Sequence, residues 1–515
     1  MLQNTQAEDI ISVKKHTPSI KSTITTTTTS LSATLTYDDE LNRLPRKIAK
    51  RVVTFQPRSS QLDRETLDSH QYPFRGFFTL FWIAMGFYII QTGVKNFQSA
   101  GILLDLTFFR LFSQDALGLI LSDACMVGSM FFAVLLQKAI AHGWIRWRYT
   151  GMIIQHIFQI TFLFVPIYWT FFKGWPWVQS GFFVLHTISM LMKLHSYSFY
   201  NDEKKEDEKQ QILDQLKSKI EQVEGYLHSP AGNIRYPENV TFANYVDFLL
   251  VPTLVYELEY PRTEKIRPWY LFEKILATFG TFFLLYVNTE TYILPVLPNV
   301  STSIYNAMVQ MLFPFMMNYL LIFYIIFECI CNVFAELTCF ADRNFYDDWW
   351  NSTTWDEFAR KWNKPVHHFL LRHVYQSSIE SYKLSKRDAT FMTFFLSSLI
   401  HELVMVVVSK KIRMYLFFLQ MFQLPLIWLS KLPVIKGNKW FGNAFFWFSL
   451  FLGPPMLGIL YFLIANPALS LYKRISKFWG KFYYHFWNLS CVYRIFLKYK
   501  STLSPKSIIK IVLIL

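Results

Sequence analysis

Long apolar runs, separated by short polar segments, dominate the hydrophobic pattern of this chain. A helix needs roughly 20 apolar residues to cross a bilayer, and nine runs approach that length. They lie near residues 76–96, 115–137, 151–172, 177–194, 269–288, 306–335, 390–409, 414–430 and 441–466. The pattern predicts an all-α polytopic membrane protein with about nine transmembrane helices.

The two ends of the chain differ from this pattern. Residues 1–72 are polar, rich in Thr and Ser, and finish in a basic cluster. Such a composition is typical of disorder, and its positive charge predicts a cytosolic side for the N-terminus. Residues 471–515 form a basic and aromatic tail with no assignable role. We therefore expect a tail over 1–72, one membrane domain over 73–470 and a second tail over 471–515.

Charge and cysteine content narrow the class of partners. The 515 residues are 52% hydrophobic and carry a net charge of +15. Because the basic residues lie in short loops beside apolar runs, anionic lipid headgroups are the expected partner, and nucleic acid is not. The five cysteines lack the spacing and the nearby histidines of a zinc site. We expect buried thiols and no metal.

One apolar run contains an ionisable pair. The stretch FLSSLIHELVMVVVS, residues 395–409, carries His401 and Glu402 in its middle. Ionisable groups in hydrocarbon are costly and normally face the protein interior or a water-filled cavity. Helical spacing places Ser397 and Ser398 one turn before His401, and it turns Glu402 about 100° away. A buried imidazole tends to stay neutral and can accept a proton, so His401 is a candidate general base. Glu402 is expected to support the helix or a neighbouring donor.

A second unusual segment, residues 344–375, reads NFYDDWWNSTTWDEFARKWNKPVHHFLLRHVY. Its tryptophans and tyrosines are explained by an aromatic belt at the membrane interface. Asp347, Asp348 and Asn351 are not explained by such a belt. For His367 and His368 we expect interfacial hydrogen bonding.

These segments resemble a known family. FYDDWWN resembles the FYxDWWN signature of the membrane-bound O-acyltransferases that esterify sterols and diacylglycerol, and WNKPVHHFLLRHVY follows at the family's distance. SSLIHELVM supplies the family's intramembrane histidine, and QLPL resembles a further family stretch. HSYSFYN and PTLVYELEYPRT look more like the sterol O-acyltransferases, particularly the fungal branch. The similarity runs from about residue 74 to about residue 464.

The resemblance implies roles for individual residues. His401 matches the family's catalytic histidine and Asn363 its catalytic asparagine. Further residues are implied to bind acyl-CoA or to line the active site: Phe345, Tyr346, Asp348, Trp349, Trp350, Asn351, Ser397, Glu402 and Gln423. The implied fold is a helical bundle around a catalytic tunnel, assembled as a homodimer or dimer of dimers in the endoplasmic reticulum membrane. No cofactor is implied, because acyl-CoA is a co-substrate.

The implied reaction transfers a long-chain fatty acyl group from acyl-CoA to the 3-hydroxyl of an ergosterol-like sterol, which yields steryl esters for storage. His401 would remove the alcohol proton, and Asn363 would meet the oxyanion. Three alternatives stay open. The acceptor could be diacylglycerol, which would yield triacylglycerol. The histidines His156, His186 and His401 could relay protons in a carrier. The chain could also be a silent membrane scaffold.

Overall fold

The computed structural model describes residues 53–63, 66, 75–101, 113–202, 234, 236–301, 303–430 and 438–465. Across these ranges the chain is helical, and the β structure consists of two isolated bridges, Arg58 with Asp342 and Arg262 with Phe340. The predicted all-α class is confirmed. The predicted tail 471–515 and most of the predicted tail 1–72 lie outside the described residues.

Sixteen α-helices are named here in chain order. They are α1 (Arg75–Ala100), α2 (Ala116–Ser129), α3 (Phe132–Ala141), α4 (Met152–Phe172), α5 (Trp177–Asp202), α6 (Phe242–Leu250), α7 (Pro268–Asn288), α8 (Ile304–Phe323), α9 (Cys331–Leu337), α10 (Trp355–Lys361), α11 (Lys364–Phe369), α12 (Ser377–Glu380), α13 (Lys386–Ser409), α14 (Tyr415–Met421), α15 (Gln423–Ser430) and α16 (Lys439–Ala465). Single π-helical segments join α8 to α9 (Tyr324–Ile330) and α11 to α12 (Leu370–Gln376).

Seven helical stretches in the described part of the chain are long and apolar enough to cross a membrane. They are Phe78–Gln98, Ala116–Ala141, Met152–Phe172, Pro268–Ile293, Ile304–Leu337, Lys386–Ser409 and Lys439–Leu463. The chain is therefore a multi-pass membrane protein, but the predicted count of nine is not reproduced. The two predicted spans that do not qualify are 177–194, which is part of α5, and 414–430, which covers α14 and α15.

Helix α5 is long enough to cross a bilayer but carries many polar side chains. Its 26 residues extend about 39 Å. Near its start, Ser180 Oγ lies 3.3 Å from the Nζ atom of Lys410, which directly follows α13. Near its end, Ser196 Oγ lies 2.9 Å from Nε2 of His373, in the π-helical segment that precedes α12 and α13. The start of α5 therefore lies beside the end of α13, where Val184 and Ile188 of α5 also pack with Val407.

The pair α14–α15 is short because it starts inside the depth of α13. Residues 410–414 reverse the chain, and Lys410 and Met414 both adopt left-handed backbone angles, with φ of 55° and 59°. The carboxylate of Glu402 accepts hydrogen bonds from the backbone N–H groups of Met414 at 2.6 Å and Phe417 at 3.1 Å. Glu402 lies seven residues, about 10 Å, before the end of α13. The 414–430 run therefore begins within the bilayer depth.

A short N-terminal segment packs onto the helical body. Residues 55–63 belong to the predicted tail 1–72, yet the backbone of Arg58 bridges to the chain at Asp342. Phe55 packs edge-on against Tyr260, with ring centroids 5.3 Å apart. The folded body therefore includes residues 55–63. This corrects the boundary at residue 72, which was drawn from polarity and could not reveal contacts made across the chain.

A cluster of aromatic rings lies in the hydrophobic core of the helical body. Trp349 is only 1% exposed. Its ring packs against Phe323 of α8 at 5.2 Å, Trp362 at 4.8 Å, Phe358 of α10 at 6.0 Å and Trp447 of α16 at 5.7 Å between centroids. Offset and edge-on aromatic pairs of this kind stabilise beyond their buried area. The cluster fixes residues 345–363 between two membrane-crossing helices.

Candidate active site

His401 has a defined tautomer on α13. Its Nδ1 atom lies 2.7 Å from the backbone carbonyl oxygen of Ser397, one turn earlier. A carbonyl oxygen only accepts, so Nδ1 carries a proton and, in the neutral ring, Nε2 keeps a free lone pair. The side chain is exposed, unlike that of its buried neighbour Glu402. His401 therefore presents a proton acceptor to open space within a membrane-crossing helix.

The two serines that share a helical face with His401 make different contacts. Ser397 contributes its carbonyl oxygen to the imidazole. The hydroxyl of Ser398 donates to the carbonyl of Phe394 at 2.7 Å and is buried. Ser397 is partly exposed and adjoins the imidazole, as the sequence predicted, but the group in contact is its backbone carbonyl.

Glu402 makes no hydrogen bond to His401 in the described structure. Its side chain is 2% exposed, caps α14 through two backbone N–H groups, and accepts from the hydroxyl of Tyr461 at 3.3 Å. Burial excludes it from the lining of an open site, which corrects its placement among the lining residues. Its contacts support the following helix, α14, whereas the sequence predicted support of its own helix or of a neighbouring donor.

The FYDDWWN segment, residues 345–351, is called the signature block below. It lies beside the Trp362-Asn363 segment. Asp347 N donates to the carbonyl of Lys361 at 2.9 Å, and Lys364 N donates to the carbonyl of Phe345 at 3.0 Å. Ion pairs strengthen this pairing: Lys361 with Asp348 at 2.8 Å, and Lys364 with Asp347 at 3.0 Å. The carboxylates that an aromatic belt left unexplained thus join two motifs, which are separated by a turn and α10.

The members of the block divide by burial. Phe345, Tyr346 and Trp349 are at most 2% exposed. They cannot contact acyl-CoA in this conformation, and their packing instead fixes the shape of the block. Asp348 and Trp350 are partly exposed and Asn351 is exposed, so for these residues contact with acyl-CoA stays a prediction.

The ion pair of Asp348 with Lys361 favours the charged form of both groups. Burial disfavours the charged form of Asp348, but hydrogen bonds from Lys361 and Asn351 outweigh it and lower the pKa of the carboxyl group. Burial likewise opposes the charge of Lys361, yet Asp348 and Glu357 raise its pKa. Nearby, burial lowers the pKa of both His367 and His368 to about 4, so both rings are neutral at pH 7. Neither ring is hydrogen-bonded to another described residue, and interfacial hydrogen bonding of His367 and His368 stays a prediction.

Asn363 caps helix α11. Its Oδ1 atom accepts from the backbone N–H of Val366 at 3.2 Å, which fixes the amide group and leaves its NH₂ without an acceptor among the described residues. A fixed NH₂ group is suited to meet a developing negative charge. No hydrogen bond of the described structure joins Asn363 to His401, which lies on a different helix.

Two further polar residues lie on the last two helices described here, α15 and α16. Gln423, at the start of α15, donates from Nε2 to Oε1 of Gln420 at 2.5 Å and is partly exposed. Asn443 of α16 was not predicted, yet its Nδ2 atom donates to the carbonyl groups of Trp350 and Ser352, both at 2.9 Å. The reasoning that singled out His401, a polar side chain within an apolar run, would also have found Asn443.

The other intramembrane histidines are placed apart from this arrangement. His186 of α5 pairs through Nδ1 with Asp123 of α2 at 2.6 Å. No hydrogen bond described for the chain links His156, His186 and His401.

Comparison with known proteins agrees with this geometry. The sequence model of MBOAT, the membrane-bound O-acyltransferase family, matches residues 140–463, which include both signature segments and His401. The chain belongs to the membrane-bound O-acyltransferase family. It is 40% identical over 415 residues to a probable sterol O-acyltransferase 2 of Schizosaccharomyces pombe, covering 76% of this chain and 87% of that protein.

More distant relatives extend the comparison. The chain is 35% identical over 425 residues to sterol O-acyltransferase 2 of Saccharomyces cerevisiae, covering 75% of this chain and 66% of that protein. The chain is 34% identical over 307 residues to diacylglycerol O-acyltransferase 1 of Dictyostelium discoideum, covering 57% of this chain and 47% of that protein. The sterol enzymes match over more of both chains.

Proposed function

We infer that the chain is an acyl-CoA:sterol O-acyltransferase that forms steryl esters. Several of its relatives, with identities up to 40%, carry that name, whereas the diacylglycerol enzyme matches a shorter part of the chain. The single observation that carries the chemistry is the exposed His401, whose Nδ1 is held by the carbonyl of Ser397. Diacylglycerol transfer is not favoured.

In the proposed reaction, His401 acts as general base. A sterol hydroxyl is a weak nucleophile at neutral pH, so its proton must leave as its oxygen attacks the thioester carbonyl. Nε2 accepts that proton, and a positioned base of this kind contributes about 10²–10⁴ in rate. A C–O bond forms, the C–S bond breaks, and the proton passes to the departing thiolate to give free coenzyme A. No acyl-enzyme is required.

Asn363 is proposed as the donor to the oxyanion. The tetrahedral intermediate carries negative charge on the former carbonyl oxygen, and a preorganised donor stabilises it. The amide of Asn363 is preorganised because its oxygen caps α11. We propose that Ser397 and Gln423 line the same space, and that Asp348, Trp350 and Asn351 contact acyl-CoA. These assignments rest on exposure, on the pairing of the two motifs and on the family's signature.

The setting of the reaction is also part of the proposal. Long-chain acyl-CoA and an ergosterol-like sterol are the two substrates, and we propose that neither a metal nor a cofactor takes part. We further propose the endoplasmic reticulum membrane as the compartment and a homodimer or dimer of dimers as the assembly, because both follow from the family. Colocalisation with a marker of that membrane and native mass in detergent test them.

Acceptor competition tests the substrate class. Purified protein in lipid nanodiscs is offered labelled oleoyl-CoA with ergosterol, cholesterol and diacylglycerol at equal mole fractions. We expect steryl ester as the main product. Triacylglycerol as the main product would overturn the sterol assignment while keeping the acyltransferase chemistry.

A further inference from the structure

Residues 55–63 form a strap on the helical body, and the term is used below for this segment. The guanidinium of Arg58 forms a bidentate pair with the Asp342 carboxylate: Nε donates to Oδ1 at 2.9 Å, and a terminal nitrogen donates to Oδ2 at 2.7 Å. Gln56 N donates to the same carboxylate at 3.1 Å. Backbone hydrogen bonds from Arg58 N to the carbonyl of Ala341 and from Arg343 N to the carbonyl of Arg58 add a second connection.

The strap also reaches a buried carboxylate. Ser60 Oγ donates to Glu328, and the hydroxyl of Tyr346 donates to the same Oε1 atom. Lys274 of α7 pairs with Glu328 at 3.3 Å and with Asp63 of the strap at 3.8 Å. All five residues are at most 5% exposed. One buried network therefore links the strap, two membrane-crossing helices and the second residue of the signature block.

The position of the block depends on such contacts. Residues 345–348 belong to no helix or strand, so their backbone is held by its neighbours. The 361–364 segment holds one side through two backbone hydrogen bonds. The strap provides the second set of contacts. It binds Asp342, three residues before the block, and it is linked to Tyr346, within the block, through Glu328.

We propose that the strap is a positioning element for the acyl-CoA-binding block of the enzyme. This rests on the proposed function, in which Asp348, Trp350 and Asn351 contact acyl-CoA. Arg58 and Ser60 are positioning residues because they act through Asp342, Glu328 and Tyr346. Loosening the strap displaces the block, so acyl-CoA binding weakens while sterol binding, on the His401 side, is retained.

Two neighbouring serines provide a matched pair for the test. Ser60 is 1% exposed, whereas Ser59 is exposed and bonds only Thr66 among the described residues. In the full-length chain, we expect Ser60→Ala to raise the KM for oleoyl-CoA about three- to tenfold, as expected when one hydrogen bond of ordinary strength is lost. The KM for ergosterol should stay unchanged, and Ser59→Ala should behave as wild type.

Arg58 gives a second, independent variant. Arg58→Ala leaves the buried Asp342 carboxylate without its bidentate partner, whereas Arg58→Lys keeps a positive charge but only one contact. We expect the KM for oleoyl-CoA to rise most in Arg58→Ala and to be partly restored in Arg58→Lys. If Ser60→Ala does not fold, the Arg58 pair supplies the same comparison.

Direct binding separates this proposal from the proposed function. Oleoyl-CoA affinity is measured without sterol, by titration of the intrinsic tryptophan fluorescence. Weaker binding in Ser60→Ala and Arg58→Ala supports the strap even if wild type esterifies no sterol, a result that would sink only the proposed function. Wild-type affinity in both variants would overturn the strap. So would an equal rise in both KM values with a lowered melting temperature, since that pattern marks a merely structural segment.

Discussion

Replacing Glu402 tests how the turn after α13 is held. Its carboxylate accepts from the backbone N–H groups of Met414 and Phe417 and from the hydroxyl of Tyr461. Glu402→Ala leaves two N–H groups at the start of α14 without their acceptor, and of these residues Phe417 is buried and Met414 is partly buried. Each unsatisfied buried donor costs about 1–3 kcal/mol, so the folded state should lose about 2–6 kcal/mol.

Glu402→Gln is the matched control, because its amide oxygen can still accept one of the two bonds. It should lose about half as much stability as Glu402→Ala. The assay is thermal unfolding in detergent together with esterification by the protein that remains folded. We expect turnover to fall with the displacement of α14, while the pH profile of the remaining activity is unchanged, since Glu402 makes no described hydrogen bond to the His401 ring. Wild-type melting and wild-type turnover in Glu402→Ala would refute this reasoning.

Two other predictions concern the segment that contains Asn363. Asn363→Asp keeps an oxygen to cap α11 at Val366 but removes the NH₂ donor, so kcat should fall about 10²–10³-fold at an unchanged melting temperature; a near wild-type kcat would remove the donor assignment. His367 and His368 have their pKa lowered to about 4 by burial, against about 6.5 in the unfolded chain. The unfolded state therefore binds more protons between these values, and stability should decline as the pH falls from 6.5 to 4. The double variant His367→Gln/His368→Gln should show a weaker decline in thermal unfolding scans, and an identical decline would contradict this prediction.

Much of the fold could be predicted because membrane-crossing helices are encoded locally. Apolar runs identify all seven qualifying stretches, with ends that differ by at most five residues. Helix α5 was also found, although polar residues such as Lys193 and His186 take it below the hydropathy of a span. Run length alone could not reveal that α14 begins beside Glu402, because a contact with a residue twelve positions earlier set that start.

The residues of the candidate site also divide into those that the sequence could reveal and those that it could not. His401 and the signature block could be found from sequence, since polar groups in apolar surroundings are conspicuous. The strap could not, because residues 55–63 have the polar composition of a tail and their main partner, Asp342, is 284 positions from Arg58. The burial of Phe345, Tyr346 and Trp349 was equally hidden, since a signature shows which residues recur together but not which of them face a substrate.

The central claim is that His401 is the base of steryl ester formation. The most direct measurement is transfer of labelled oleoyl from coenzyme A to ergosterol in microsomes that contain wild-type, His401→Ala or His142→Ala protein. His142 is a matched control, since its Nδ1 also lies against the carbonyl of the residue four positions earlier, at 2.8 Å, but it is outside the site. We expect ester from wild type and His142→Ala, and a loss of about 10²–10⁴-fold in His401→Ala at equal protein level. Steryl ester formed by His401→Ala at the wild-type rate would contradict the account.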